Sequence, residues 1–200
     1  KLLLTSSGLS NRSIAKALAE LVVKNPSAVK IGYVPIAANV EEGNKDWVIK
    51  DFINLWRYGY NQIDIIDPSA AVVNWKNRLA DADIIQLSGG NTFHLLDQVH
   101  KTGLGAWLKK NLRGKVFVGG SASSILVTPK ISVAGIGDFH DKNLPGLKDL
   151  TGLNFVGFEI IPHSPSWCSY EDAQKYAKTT KNKVYAIDDM SAIKVDGGEV

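Results

Sequence analysis

Chemistry is concentrated in three short stretches of the chain. Gly119-Gly120-Ser121-Ala122-Ser123 follows directly on the apolar run Lys115-Val116-Phe117-Val118. A serine on a sharp strand-to-helix turn is how hydrolases of α/β architecture expose a nucleophile, which makes Ser121 the candidate. The usual Gly-x-Ser-x-Gly pattern relieves crowding on both sides of the serine, and here Ser123 stands where the last glycine would be. About thirty residues upstream, Ile84-Ile85-Gln86-Leu87 runs into Ser88-Gly89-Gly90-Asn91-Thr92-Phe93, a buried-strand pattern leading through a glycine pair into an amphipathic helix. Backbone N–H groups entering a helix there supply the fixed positive charge that an oxyanion hole or an anion site needs. The third stretch, Phe158-Glu159-Ile160-Ile161-Pro162-His163, carries a histidine to the end of an apolar strand, which makes His163 the candidate general base.

Each stretch also has a plainer reading, as a tight turn or as a packed histidine. Cys168, five residues past His163, invites a thiol-nucleophile reading, but Ser166-Trp167-Cys168-Ser169 is not an elbow and reads as an incidental loop. As the only cysteine it excludes an internal disulfide and suits a reducing compartment. Ser6-Ser7-Gly8-Leu9-Ser10 has the composition of a phosphate-holding turn without its lysine or glycine spacing.

Taken together, Ser88-Gly89-Gly90-Asn91-Thr92-Phe93, Gly119-Gly120-Ser121-Ala122 and Ile161-Pro162-His163 resemble the peptidase E and cyanophycinase family of serine peptidases, in order and in spacing. The tail Ala186-Ile187-Asp188-Asp189-Met190-Ser191-Ala192-Ile193-Lys194-Val195 is similar to that family's closing hairpin. The resemblance implies a three-layer, doubly wound α/β fold with a mostly parallel sheet, related to class I glutamine amidotransferases and to flavodoxin. It implies peptide-bond hydrolysis with no cofactor: Ser121 attacks, His163 moves the proton, and amides of Gly89, Gly90 and Ala122, beside Asn91, hold the oxyanion and substrate. It also implies an acid in the loop between elbow and histidine. Asp138 is the first choice, Asp141 the alternative, and Glu159 the third, since Pro162 interrupts the strand that would align Glu159 with His163.

Two departures bear on activity. Aspartyl dipeptidases of that family grip the substrate's acidic side chain with an arginine after the histidine, and no arginine follows Arg113 here. Lysines at 175, 178, 181 and 183 lack the planar fork for a bidentate grip, so strict specificity for an N-terminal aspartate is not expected. Ser123 adds a Cβ just past the elbow, a feature compatible with a weakened enzyme or a pseudoenzyme. A small-ligand- or peptide-binding protein of the same topology, with Ser121 only a hydrogen-bond donor, is the competing reading.

The elements that must position these residues alternate along the chain. Strands are expected at 2–6, 29–35, 62–66, 83–87 and 116–119, and helices at 11–24, 46–58, 75–82 and 92–102. Val48, Phe52, Leu55 and Trp56 are expected on one face of the second helix. Both glycine-rich turns then fall at carboxyl ends of strands, where open parallel sheets bind ligands. Residues 128–157 break the alternation and read as loops and short strands over the site, followed by a helix at 170–180 and a hairpin at 184–195.

With 200 residues the chain suffices for one α/β domain, and 44% hydrophobic and 22% charged residues leave little room for disorder. Twenty-three basic against 20 acidic residues give a net charge of +3, spread without a basic face interleaved with aromatics, so no nucleic-acid partner is expected. The P-loop and dinucleotide fingerprints are missing, and no paired-cysteine or clustered-histidine spacing suggests a metal. The opening Lys1-Leu2-Leu3-Leu4-Thr5 is too short for a signal or membrane segment, so a cytoplasmic location and no membrane partner are expected; a few residues are expected to be missing at each end.

Overall fold

Short strands that are apolar almost without a break need a core on each face of their sheet, and the chain follows that rule. The structure, a computed structural model, describes residues 1–137, 140–197 and 199–200. Its main sheet contains β1 (Leu2–Thr5), β2 (Lys30–Val34), β3 (Gln62–Ile65), β4 (Ile84–Leu87), β5 (Val116–Gly120) and β8 (Ala192–Val195) in the order β3-β2-β4-β5-β1-β8. All neighbours run parallel except β8, which is antiparallel to β1. A separate parallel pair joins β6 (Phe158–Ile161) to β7 (Lys183–Ala186).

Leu3, Ile31, Ile84, Val116 and Val118 point to one face, against α1 (Arg12–Val22) and Leu55 of α2 (Asp46–Arg57). Leu4, Val34, Ile85, Leu87 and Phe117 point to the other. There they meet α3 (Trp75–Asp81), α4 (Thr92–Thr102), α5 (Leu104–Asn111) and α6 (Ala122–Leu126). The result is the expected three-layer α/β arrangement. Register places Thr5 opposite Gly120 and Leu87 opposite Gly119, so the carboxyl ends of β1, β4 and β5 are level and their outgoing turns adjoin.

Three local expectations are corrected. Residues 184–195 do not form a hairpin: β7 pairs with β6 and β8 with β1, because each finds an edge in a different sheet. On α2, Leu55 is buried, but Trp56 is 67% exposed and shares an outward stripe with Ile49 and Ile53. One residue is 100° of helix rotation, so Trp56 cannot follow Leu55 inward. A further helix beyond those expected, α5, closes the core beneath α4 with Leu104 and Leu108.

Between residues 128 and 157 the described structure is irregular, with one 3-10 turn at Ser132–Gly135 and a bridge between Lys130 and Thr151. The last helix, α7 (Tyr170–Ala177), is started by the Ser169 hydroxyl, which accepts from Asp172 N–H at 3.1 Å. No helix among the described residues is long and apolar enough to cross a membrane.

The fully buried Tyr33 hydroxyl donates to Asp51 Oδ2 at 3.0 Å. Burial pushes the Asp51 carboxyl up to about 6, against a smaller downward pull from that hydrogen bond. The folded chain therefore holds a proton that the unfolded chain has released, and stability present at low pH is lost as pH rises through about 6. Asp51→Asn keeps an acceptor for Tyr33 and removes the titration. Urea denaturation should find variant and wild type similar near pH 4 and the variant about 2 to 3 kcal/mol more stable near pH 7. A difference independent of pH would contradict this account.

Candidate active site

Ser121 sits at the first turn of α6 with φ 49° and ψ −111°, in a region that non-glycine residues avoid. Holding it there costs about 1–3 kcal/mol. The restraints are visible: Ser121 N–H donates to Thr5 O at 3.0 Å, and Ser124 Oγ donates to Thr5 O at 2.8 Å while accepting from Thr5 N–H at 3.0 Å. Gly119 makes room for this clamp, since a Cβ there would lie 2.9 Å from Ser124 N.

Ser123, in the place of the elbow glycine, is fully buried and integrated. Its hydroxyl accepts from Gly120 N–H at 2.8 Å and donates to Leu87 O at 2.6 Å, with Gly120 O at 3.0 Å as a second acceptor. It thus ties the elbow to the end of β4.

His163 follows β6 with φ 57°, its N–H donating to Ser6 Oγ at 2.6 Å and its carbonyl accepting from Trp167 N–H at 2.8 Å. The Trp167 ring lies against the imidazole, centroids 4.4 Å apart and planes 32° apart. The imidazole, 12% exposed, has Nε2 2.9 Å from Ser121 Oγ and Nδ1 2.5 Å from Asp189 Oδ1. A carboxylate can only accept, so Asp189 fixes the proton on Nδ1 and leaves Nε2 to accept from the serine.

Asp189 belongs to the segment between β7 and β8, which exists because those strands join different sheets. Asp188 Oδ1 closes the turn by accepting from Met190 N–H and Ser191 Oγ. The N-terminal serine turn cradles it: Ser7 Oγ donates to Asp189 Oδ1 at 2.8 Å, Ser10 Oγ to Asp189 O at 2.7 Å and Asn11 Nδ2 to Met190 O at 2.7 Å. Ser6–Ser10, without an assigned role in the sequence, therefore grips both the histidine and its acid.

Of the acids named from sequence, Asp138 lies outside the described residues. Asp141 Oδ2 accepts from Thr92 N–H at 2.7 Å at the start of α4. Glu159, fully buried, accepts from the Tyr176 hydroxyl, Thr180 Oγ1 and Asn182 Nδ2, a network separate from the imidazole. Asp189 lies in the tail motif, where the sequence assigns it no role. The available signal was the short polar Asp188-Asp189 turn between two strands.

The glycine loop lies beside the elbow. A Cβ on Gly89 would be 3.3 Å from Ser121 Cβ, and one on Gly90, at φ 123°, would be 2.2 Å from Ala37 O. Position 90 therefore demands glycine, while a side chain at position 89 would press closely on the serine. Ala122 opens α6, so its N–H belongs to the first turn, whose donors lack partners within the helix. Asn91 is occupied by structure: its N–H donates to Ala37 O, Oδ1 accepts from His94 N–H and Nδ2 donates to Lys142 O.

A cavity of about 40 Å³ adjoins Ser121 and His163, with Thr92, His140, Asp141 and Trp167 among its walls. Cys168 also lines it, but its thiol donates to Ser169 O at 3.7 Å. Lys175 pairs with Glu171 and Asp172, and Lys183 lies over the Tyr185 ring. Neither reaches the cavity. Among the described residues no group of three or more His, Cys, Asp or Glu side chains is placed to hold a metal.

A doubly wound α/β sheet that ends in a strained serine, with an imidazole on its hydroxyl and a carboxylate behind, has the architecture of a serine hydrolase. The chain belongs to peptidase family S51, whose profile it matches over residues 2–200, and it is a serine peptidase by that membership. It is 33% identical over 174 residues to an uncharacterized peptidase of Pasteurella multocida, covering 83% of this chain and 81% of that protein. Peptidase E of a Nostoc species is 28% identical over 142 residues, 68% of this chain and 53% of that protein. A crystal structure from Listeria monocytogenes named for peptidase E superposes with a TM-score of 0.82 at 26% identity, covering 99% of this chain and 95% of that one.

Ser123→Gly restores the usual elbow pattern but strips Gly120 N–H and Leu87 O of a buried partner. Chemical denaturation should show a loss of about 1–3 kcal/mol, with no gain in peptide hydrolysis. A faster enzyme of unchanged stability would show that Ser123 impairs the elbow.

Proposed function

We propose that this chain hydrolyses short peptides, with Ser121 as nucleophile, His163 as general base and acid, and Asp189 as the acid that orients the imidazole. The observation that carries the reading is the continuous hydrogen-bonded path Ser121 Oγ to His163 Nε2, and His163 Nδ1 to Asp189 Oδ1. As Ser121 Oγ attacks the scissile carbonyl, its proton passes to Nε2, and Asp189 stabilises the resulting imidazolium. His163 then returns that proton to the leaving amine. Water, deprotonated by the same nitrogen, releases the acyl group.

Negative charge developing on the carbonyl oxygen falls to backbone N–H groups of Ala122 and of the Gly89-Gly90 loop. Donors fixed in this way cost no reorganisation when the charge appears. The cavity of about 40 Å³ has room for one small group of a substrate beside the nucleophile. Its described walls carry no arginine or lysine to neutralise an acidic side chain, which argues against strict specificity for an N-terminal aspartate.

Steady-state hydrolysis of a dipeptide panel tests the assignment. Ser121→Ala should abolish turnover, whereas a protein that only binds peptides would show no turnover even as wild type. Asp189→Asn, which presents the wrong partner to Nδ1, should lower kcat by roughly 10⁴ with little change in KM. Full activity in Asp189→Asn would remove Asp189 from the mechanism.

A further inference from the structure

The histidine makes one contact that the proposed catalytic cycle leaves unused. His163 O accepts from Trp167 N–H at 2.8 Å and from Ser166 Oγ at 2.9 Å, so the chain turns directly after the histidine and returns residue 167 to residue 163. The indole then lies against the imidazole, centroids 4.4 Å apart and planes 32° apart, closer to face-to-face than to edge-to-face. The main chain beyond it is fixed too. A Cβ on Gly137, at φ 84°, would lie 2.6 Å from Trp167 O, and the neighbouring Cys168 is buried. Trp167 itself is 48% exposed, so burial of apolar area is a weak reason for placing a tryptophan there.

Charge gives a stronger reason. An aromatic face attracts a cation within about 6 Å of its centroid, and tryptophan does so best. A neutral imidazole gains only stacking from that face, whereas an imidazolium gains the electrostatic attraction as well. The imidazolium exists only while His163 carries the proton taken from the serine or from water. The contact is therefore stronger at those stages than in the resting enzyme, and only such differential contacts speed a reaction. The charged groups facing the imidazole from other segments are Asp189, at Nδ1, and Asp141 with His140 beside it on the cavity wall. Asp189 binds a nitrogen at the ring's edge, while Trp167 meets its face.

We propose that Trp167 is a positioning residue of this site, its indole face holding the imidazole of His163 in place and stabilising the imidazolium. The proposal rests on the reading of His163 as general base.

Trp167→Leu removes the aromatic face, and Trp167→Phe keeps a smaller one. Titration of His163 by NMR needs neither substrate nor turnover. Charging the imidazole should take a proton concentration roughly 3- to 30-fold higher in Trp167→Leu than in wild type, with Trp167→Phe between the two. Phosphonylation of Ser121 by a fluorophosphonate, with loss of fluoride, should be slower in Trp167→Leu by up to the same factor above about pH 8. That gap should close as pH falls, because the wild-type imidazole charges first and loses its basic form sooner. A side chain that merely propped up the loop would lower the rate by one factor at every pH. Trp167→Phe, which conserves most of the packing, carries the same two measurements should the leucine variant not fold. An unchanged NMR midpoint, a rate loss independent of pH, or a phenylalanine variant no closer to wild type than leucine would overturn the proposal. Wild type whose Ser121 is not phosphonylated, with the NMR midpoints shifted as expected, would instead overturn the hydrolase reading and leave the stabilised imidazolium standing.

Discussion

The imidazole of His163 is held at both nitrogens, 2.9 Å from Ser121 Oγ and 2.5 Å from Asp189 Oδ1, and four distant stretches of chain must converge for this to happen. The first turn supplies Ser6 and Ser7, β5 ends in the serine, β6 ends in the histidine, and the segment before β8 supplies the acid. Level carboxyl ends in a parallel sheet bring the first two together at no extra cost, which is why such sheets collect their chemistry at that edge. The antiparallel insertion of β8 beside β1 does the rest, because it returns the chain over the same edge just before the strand begins. Fold and constellation are thus one arrangement.

Strain is placed where the chemistry needs it. Ser121 and His163 both carry positive φ without being glycine, and both are held by hydrogen bonds from the β1 end, at Thr5 and Ser6. Such conformations persist only when the surroundings over-determine them. Here Thr5 does so through Ser124 and Ser121, and Ser123 adds a third restraint by bonding to the end of β4. The serine that looks like a defect against the usual elbow pattern is part of this clamp.

Much of this was legible in the sequence. Alternation in Leu3-Leu4 and in Val116-Phe117-Val118 gave opposite-facing side chains and so a two-sided core, and the glycine turns marked the functional edge. Ser121 and His163 announce themselves by lying where strands end. Asp189 does not, because its role depends on β7 and β8 joining different sheets, and no local pattern separates that from a hairpin. The serine turn at 6–10 was opaque for the same reason: its partners lie more than 150 residues away in the chain. Trp56 misled because α2 carries apolar residues on two adjoining faces, and hydrophobicity alone does not say which is covered.

The most direct test of the central claim asks whether Ser121 is chemically activated, independently of any substrate. A fluorophosphonate added to the folded protein should phosphonylate one residue, identified by mass spectrometry as Ser121, with loss of fluoride. The rate should collapse in His163→Ala, which keeps the serine and removes its base. Labelling at Ser121 that is as fast without the imidazole, or no labelling of the wild-type serine at all, would contradict the account.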